Sequence, residues 1–161
     1  MKPANTTRAA RARIEALQLS RQLCFPLYAA GNLLGRLYRP LLDAIGLTYP
    51  QYLVMLALWE RDARSVGELG ETLFLDSGTL SPLLKRLEQA GLVQRRRAID
   101  DERRVVVALT AQGLALRDRA ADVPEAMLCR IPLKGSELAG HREKMWSLLH
   151  TLQQAAADIA D

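Results

Sequence analysis

Apolar positions in this chain recur at helical spacing and are broken at regular places. From Leu23 onward, Leu27, Leu34, Leu37, Tyr38, Leu41 and Ile45 keep the three-and-four spacing of one buried helical face, and Gly46 is suited to end that helix. This predicts a first helix reaching about residue 45. Pro26 lies near its beginning. Proline lacks a backbone donor and crowds the preceding turn but is tolerated in a first turn, so the helix either kinks there or a new one starts there. "TYPQYLVMLALWERD" predicts a short buried second helix, with Thr48 as N-cap and Pro50 in the first turn. In "SVGELGETL", Ser65 and Glu68 stand at capping-box spacing ahead of Leu69 and Leu73, which predicts a short third helix. "LDSGTLSPLLKRLEQAGLV" predicts a fourth, capped by Asp76 or Ser77, with Leu80, Leu83, Leu84 and Leu87 as its buried stripe and Gly91 as its stop.

After Leu92 the period changes. Residues 92–98 and 103–109 form two extended arms around the polar turn Asp100, Asp101 and Glu102, the pattern of a hairpin. Residues 110–129 and 134–160 then predict two further helices, separated by Pro132 and Gly135. The second carries Leu138, Met145, Leu148, Leu149 and Leu152 on one face.

Composition narrows the class. A chain of 161 residues, 49% hydrophobic and 25% charged, is long enough for one globular domain with a real core, and its few Val-rich positions near Val105 favour a mainly helical fold. No run approaches the about 20 apolar residues that span a bilayer, so the expectation is a cytoplasmic protein with no membrane partner. The formal charge of +4 is unevenly placed. Lys2, Arg8, Arg11 and Arg13 form a basic N-terminal arm without an acid, and residues 85–104 hold seven basic residues against four acids. A patch of that density suits phosphate contact.

Two short helices joined by a tight turn and followed by a basic ribbon make a winged helix-turn-helix, with the fourth helix in the major groove and the ribbon along the backbone toward the minor groove. In that helix Ser77, Thr79 and Ser81 permit close approach to bases and phosphates, with Lys85 and Arg86 behind them; the plainer role for Ser77 and Thr79 is capping. In the ribbon, Arg95, Arg96, Arg97 and Arg103 are candidate DNA contacts. An arginine near the tip, Arg103, suits the minor groove, with Asp101 fixing its rotamer. The plainer fate of such a charge run is a solvated turn, and the helix upstream favours the DNA reading.

The remaining chemistry is sparse. His141 and His150 stand alone on the last helix, and no Cys-x-x-Cys pair or metal-ligand spacing occurs, so neither a metal nor another cofactor is expected. Trp59 and Trp146 lie on apolar faces as core or interface aromatics. Cys24 and Cys129, the only cysteines, are either two inert buried thiols or a reversible redox pair. A peroxide is attacked by thiolate, so a sensor needs access, stabilised charge and a second thiol to trap the sulfenic acid. A cysteine at a helix start gains the second of these.

"LDSGTLSPLLKRLEQAGLVQRRRAIDDERRVVVALT" resembles the DNA-binding segment of the MarR family of transcriptional regulators, with Asp101, Glu102 and Arg103 matching its wing motif. "LCFPLYAAGNLLGRLYRPLL" with "GLTYPQYLVMLALWE" is similar to the organic hydroperoxide-sensing branch, and the matched segments cover about residues 20–130. That resemblance implies that Cys24 is the peroxide sensor, that Tyr38 and Tyr49 hydrogen-bond the thiol from the partner subunit, and that Arg103 contacts DNA. Cys129 resembles the second cysteine of the two-cysteine type, which implies an intersubunit Cys24 to Cys129 disulfide on oxidation. The apolar neighbours Leu23, Phe25 and Leu27 suit an organic peroxide.

The expectation is therefore a mainly α protein with a small β-hairpin wing: one domain over residues 1–161, with dimerisation helices at about 14–46 and 111–157 and a winged helix-turn-helix at about 47–110. Apolar helix faces that one chain leaves uncovered imply a homodimer and hence a pseudo-palindromic double-stranded DNA operator. The expected function is a repressor, not an enzyme, released by an organic hydroperoxide as inducer. The rivals are a regulator responding to a bound small molecule and a thiol peroxidase, which needs no basic wing.

Overall fold

The computed structural model describes residues 13–98, 101 and 104–160. A 3-10 turn at Leu19–Arg21 leads into helix α1, Cys24–Asp43, which begins at the cysteine itself. Pro26 is its third residue, where a missing N–H costs no hydrogen bond, so the helix starts there instead of kinking. The buried face expected on α1 is only partly covered. Tyr38, Leu41 and Ile45 pack against the core, but Leu34 and Leu37 are exposed, and the one fully buried residue is Leu42. Leu23 just ahead of α1, and Phe25, Tyr28 and Leu33 in its first half, are exposed to solvent.

Gly46, with φ +75°, turns the chain into α2, Tyr49–Glu60. The Gln51 side chain accepts from both the backbone N–H and the hydroxyl of Thr48, and Pro50 sits in the first turn as expected. Strand β1, Arg64–Ser65, leads directly into α3, Val66–Leu73. The tight turn after α3 leads to α4, Ser77–Gln89, whose Leu80, Leu84 and Leu87 are buried in a core with Met55, Leu58 and Leu69. Gly91, φ +71°, reverses the chain into β2, Val93–Arg97.

Strand β3, Val105–Leu109, pairs antiparallel with β2, Val93 opposite Leu109 and Arg97 opposite Val105, so both expected arms form. The sheet has a third member, absent from the sequence expectation: β1 joins the other edge of β3, giving the order β1-β3-β2. Two residues are too few to leave an alternation pattern.

The helix expected over 110–129 is two helices, α5 (Ala111–Ala120) and α6 (Val123–Leu128). Pro124 accounts for the break: within a continuous helix its ring would meet the carbonyl of Ala120, whereas a fresh start at Val123 places it in a first turn.

The chain divides into two units, Met1–Met127 and Leu128–Asp161. In the second, α7 (Gly135–Ala160) has no buried residue over 135–159. Leu138, Leu148 and Leu149 are half-buried, while Met145 and Trp146 are 51% and 53% exposed. Among the described residues no helix is long and apolar enough to cross a membrane.

The α3 capping box forms as the spacing predicts. Glu68 accepts from the Ser65 N–H, and the Ser65 hydroxyl accepts from the Glu68 N–H. These bonds to Ser65, with Arg61 adding to them, lower the Glu68 carboxyl to about 2. A depressed carboxylate stabilises the fold fully above its ordinary value near 4.5, and that contribution disappears as the pH falls toward 2. The melting temperature is therefore expected to fall between pH 5 and about 2, and Glu68→Gln to make that fall shallower; an unchanged pH slope in thermal melts would contradict the assignment.

Candidate nucleic-acid interface and thiol site

Helix α4 enters this site through Asp76, which is the N-cap: its Oδ1 accepts from the Thr79 N–H at 2.8 Å. Those bonds hold the Asp76 carboxyl below the usual range. The choice between Asp76 and Ser77 thus goes to Asp76, and Ser77 is left with its hydroxyl uncommitted to the cap. The Thr79 hydroxyl donates to Asp76 Oδ2 at 2.9 Å, and the Ser81 hydroxyl to the Ser77 carbonyl at 2.6 Å. Each of these oxygens keeps acceptor capacity for a ligand donor. Ser77, Thr79, Ser81, Lys85 and Arg86 are all exposed. Spacing of four places Ser77, Ser81 and Lys85 on one face, where they line a groove with Gly78, Pro82 and Arg95.

A second groove runs between α3, α4 and the ribbon, lined among others by Ser65, Ser81, Arg95, Asp101 and Arg104. The hairpin brings Arg95, Arg96 and Arg97 beside Glu88. Arg96 and Arg97 are exposed, whereas Arg95 is bound by Glu88 through Nε at 2.9 Å and Nη2 at 2.6 Å, a pairing the sequence reading did not anticipate. Asp101 is half-buried at the ribbon's end. Arg103, with Asp100 and Glu102, lies outside the described residues, as do Lys2, Arg8 and Arg11 of the N-terminal arm.

Cys24 is exposed at the head of α1, its thiol free. The preceding Leu23 makes no side-chain cap bond, so the first-turn N–H groups beside the sulfur are not taken by a capping side chain. The two tyrosines are brought together elsewhere. Tyr38 and Tyr49 stack with ring centroids 4.9 Å apart, and Tyr52, which the sequence reading passed over, tilts against Tyr38 at 5.9 Å. Burial raises all three hydroxyls above their ordinary value, so they stay protonated as donors. Fourteen residues of α1 separate Cys24 from Tyr38, about 21 Å along the helix axis, so the tyrosines of one chain do not reach its own thiol.

Cys129, just beyond α6, is also exposed and free. In the single chain, then, neither thiol is buried. His141 is exposed, and His150 lies 5.8 Å from the Trp146 ring one turn away on α7. Among the described residues no group of three or more His, Cys, Asp or Glu could hold a metal ion.

Residues 36–119 match the family model for the SarA/Rot transcriptional regulators. The chain is 44% identical over 142 residues to the organic hydroperoxide resistance transcriptional regulator of Bacillus subtilis, covering 88% of this chain and 97% of that protein. Among solved structures it is similar to AbfR of Staphylococcus epidermidis. Against reduced AbfR bound to DNA the TM-score is 0.74 at 36% identity, over 87% of this chain and 96% of that one. Against disulfide-formed AbfR it is 0.57 at 35% identity, over 90% and 97%.

Proposed function

The chain belongs to the family of the organic hydroperoxide resistance regulator, within the MarR and SarA/Rot group of winged-helix transcriptional regulators, and from that premise we propose that it is a homodimeric repressor switched by oxidation of Cys24. It is a DNA-binding regulator and not an enzyme, like the relatives it matches. On this reading α4 presents Ser77, Thr79 and Ser81 to the bases and phosphates of the major groove. Lys85, Arg86, Arg96 and Arg97 neutralise backbone phosphate, and Arg103 at the ribbon's end enters the minor groove with Asp101 orienting it. Two such heads related by a two-fold axis require a pseudo-palindromic operator.

The observation that carries the redox reading is the free, exposed thiol at the head of α1 in a chain so similar to a peroxide-resistance regulator. The separation of about 21 Å along α1 supports a partner's role: an antiparallel crossing of two α1 helices would bring each Cys24 to the other chain's Tyr38 and Tyr49. Gly31 lies midway between Cys24 and Tyr38, and a Cβ there would meet nothing within 4 Å in the single chain, so it leaves room for such a crossing.

Cys24 thiolate attacks the O–O bond of an organic hydroperoxide. The S–O bond forms as the O–O bond breaks, sulfur is oxidised to the sulfenic acid and the peroxide reduced, and the departing alkoxide takes a proton from solvent to leave as the alcohol. The Cys129 thiol of the partner subunit then displaces water from the sulfenic acid, forming the disulfide. That bond biases a two-state dimer toward the form whose heads no longer fit the operator. On non-reducing gels, peroxide is expected to convert wild type to a covalent dimer that dithiothreitol reverses, and Cys24→Ser and Cys129→Ser each to remain monomeric. A covalent dimer in either single variant would overturn the pairing.

A further inference from the structure

The proposed regulator reads DNA with α4 and the ribbon, and one pair of side chains ties the two together. Glu88 lies in the last turn of α4 and Arg95 in the middle of β2, with the Gly91 turn folding one back onto the other. Glu88 Oε1 accepts from the Arg95 backbone N–H at 3.0 Å, and Oε2 accepts from Nε at 2.9 Å and Nη2 at 2.6 Å. Strand β2 is an edge strand, so its outward backbone donors have no neighbouring strand, and the carboxylate of Glu88 satisfies the one at residue 95. Both side chains are about one-third exposed, at 34% and 35%, and the contact is multidentate, a geometry that orders two planar groups against each other. Arg95 also lines the groove beside α4 and the groove beside the wing, which places it at the junction of the two reading elements.

We propose that Arg95 is a positioning residue: held by Glu88, it fixes the ribbon at a set distance and angle from the recognition helix, and it is not one of the arginines that neutralise phosphate. The carboxylate cancels its charge locally, so it releases no counterion on binding, whereas Arg96 and Arg97 do. This rests on the DNA-binding reading and assigns separate roles to arginines that the sequence presents as one run.

The test uses the full-length reduced protein as wild type, Glu88→Ala, Glu88→Gln, Arg95→Ala, the Glu88→Ala/Arg95→Ala double variant and Arg96→Ala. Operator affinity is measured against salt concentration, and hydrogen exchange of the residue-95 amide is measured without DNA. Glu88→Ala and Arg95→Ala are each expected to weaken operator binding on the order of tenfold, with the double variant no weaker than the worse single one. The salt slope of Arg95→Ala stays at the wild-type value, while that of Arg96→Ala falls by about 0.9. The residue-95 amide is protected in wild type, loses protection in Glu88→Ala and regains it in Glu88→Gln, which keeps an acceptor oxygen; affinity follows the same order. A slope lowered by about one in Arg95→Ala, or unchanged or tighter binding in Glu88→Ala, would make Arg95 a phosphate ligand and overturn the proposal. An unprotected residue-95 amide in wild type overturns this proposal alone; absence of sequence-specific binding by wild type overturns the regulator reading with it.

Discussion

A Cys24→Ser protein is expected to keep its operator at an organic peroxide dose that strips the wild-type protein from it. Serine replaces sulfur with oxygen at an exposed first-turn position and is nearly isosteric there, so fold and unstressed DNA affinity are expected to stay within about twofold of wild type. What is lost is the nucleophile: an alcohol does not open a peroxide bond at neutral pH, so no sulfenic acid and no disulfide can form. Wild-type affinity is expected to fall on the order of a hundredfold on oxidation, toward the upper end of the coupling free energies that link two sites in one protein. Gel shifts before and after cumene hydroperoxide measure both numbers. Cys129→Ser is the informative neighbour, because its Cys24 still reacts but cannot be trapped by the second thiol and proceeds up the oxidation ladder. Release of Cys24→Ser by peroxide to the wild-type extent would remove Cys24 from the mechanism and favour a regulator that binds a small molecule.

Gly113→Ala is expected to be among the most destabilising single-methyl changes in the chain. A Cβ at this position in α5 would stand 1.9 Å from the Leu92 carbonyl oxygen and 2.9 Å from its carbon, a backbone contact that no rotamer relieves. Neither partner is free to move. The Leu92 oxygen accepts from Thr110 N–H, the Gly113 N–H donates to the Thr110 hydroxyl, and the Gly113 carbonyl accepts from the Trp59 indole at 2.9 Å. The expected cost is about 3 kcal/mol, near the top of the usual range for overpacking, which for a chain of this length lowers Tm by about 6 to 12 °C. Leu92 directly precedes β2, so the shift also moves the ribbon, and operator affinity is expected to drop with stability. Gly135→Ala, where a Cβ meets nothing within 4 Å, is the control, expected to change stability by less than about 0.5 kcal/mol. Thermal melts showing Gly113→Ala as stable as Gly135→Ala would contradict the close approach.

Helices α2, α3 and α4 and the two-stranded ribbon were legible because each is announced by its own residues: Thr48 with Pro50, Ser65 with Glu68, Asp76 ahead of a leucine stripe, and glycines at Gly46 and Gly91 where a left-handed turn is needed. That Ser77, Ser81 and Lys85, the residues proposed to meet DNA, line one groove was legible for the same reason, since they share a face by spacing alone. The break at Pro124 was in principle as readable as the others, but the apolar spacing of residues 110–129 runs through it.

The chain's local chemistry by itself determined the order and type of most elements and the basic face, because capping, turns and periodicity are interactions among residues a few positions apart. Tertiary structure alone decided which of those residues act together. It placed Tyr38 and Tyr49 in one stack, with Tyr38 about 21 Å along α1 from its own chain's Cys24. It also brought β1 to the edge of β3, pressed Gly113 onto the Leu92 backbone, and closed Glu88 on Arg95. Each of these contacts joins segments whose separation along the chain carries no periodic trace. Their chemistry therefore appears only once a shared core has brought the segments together.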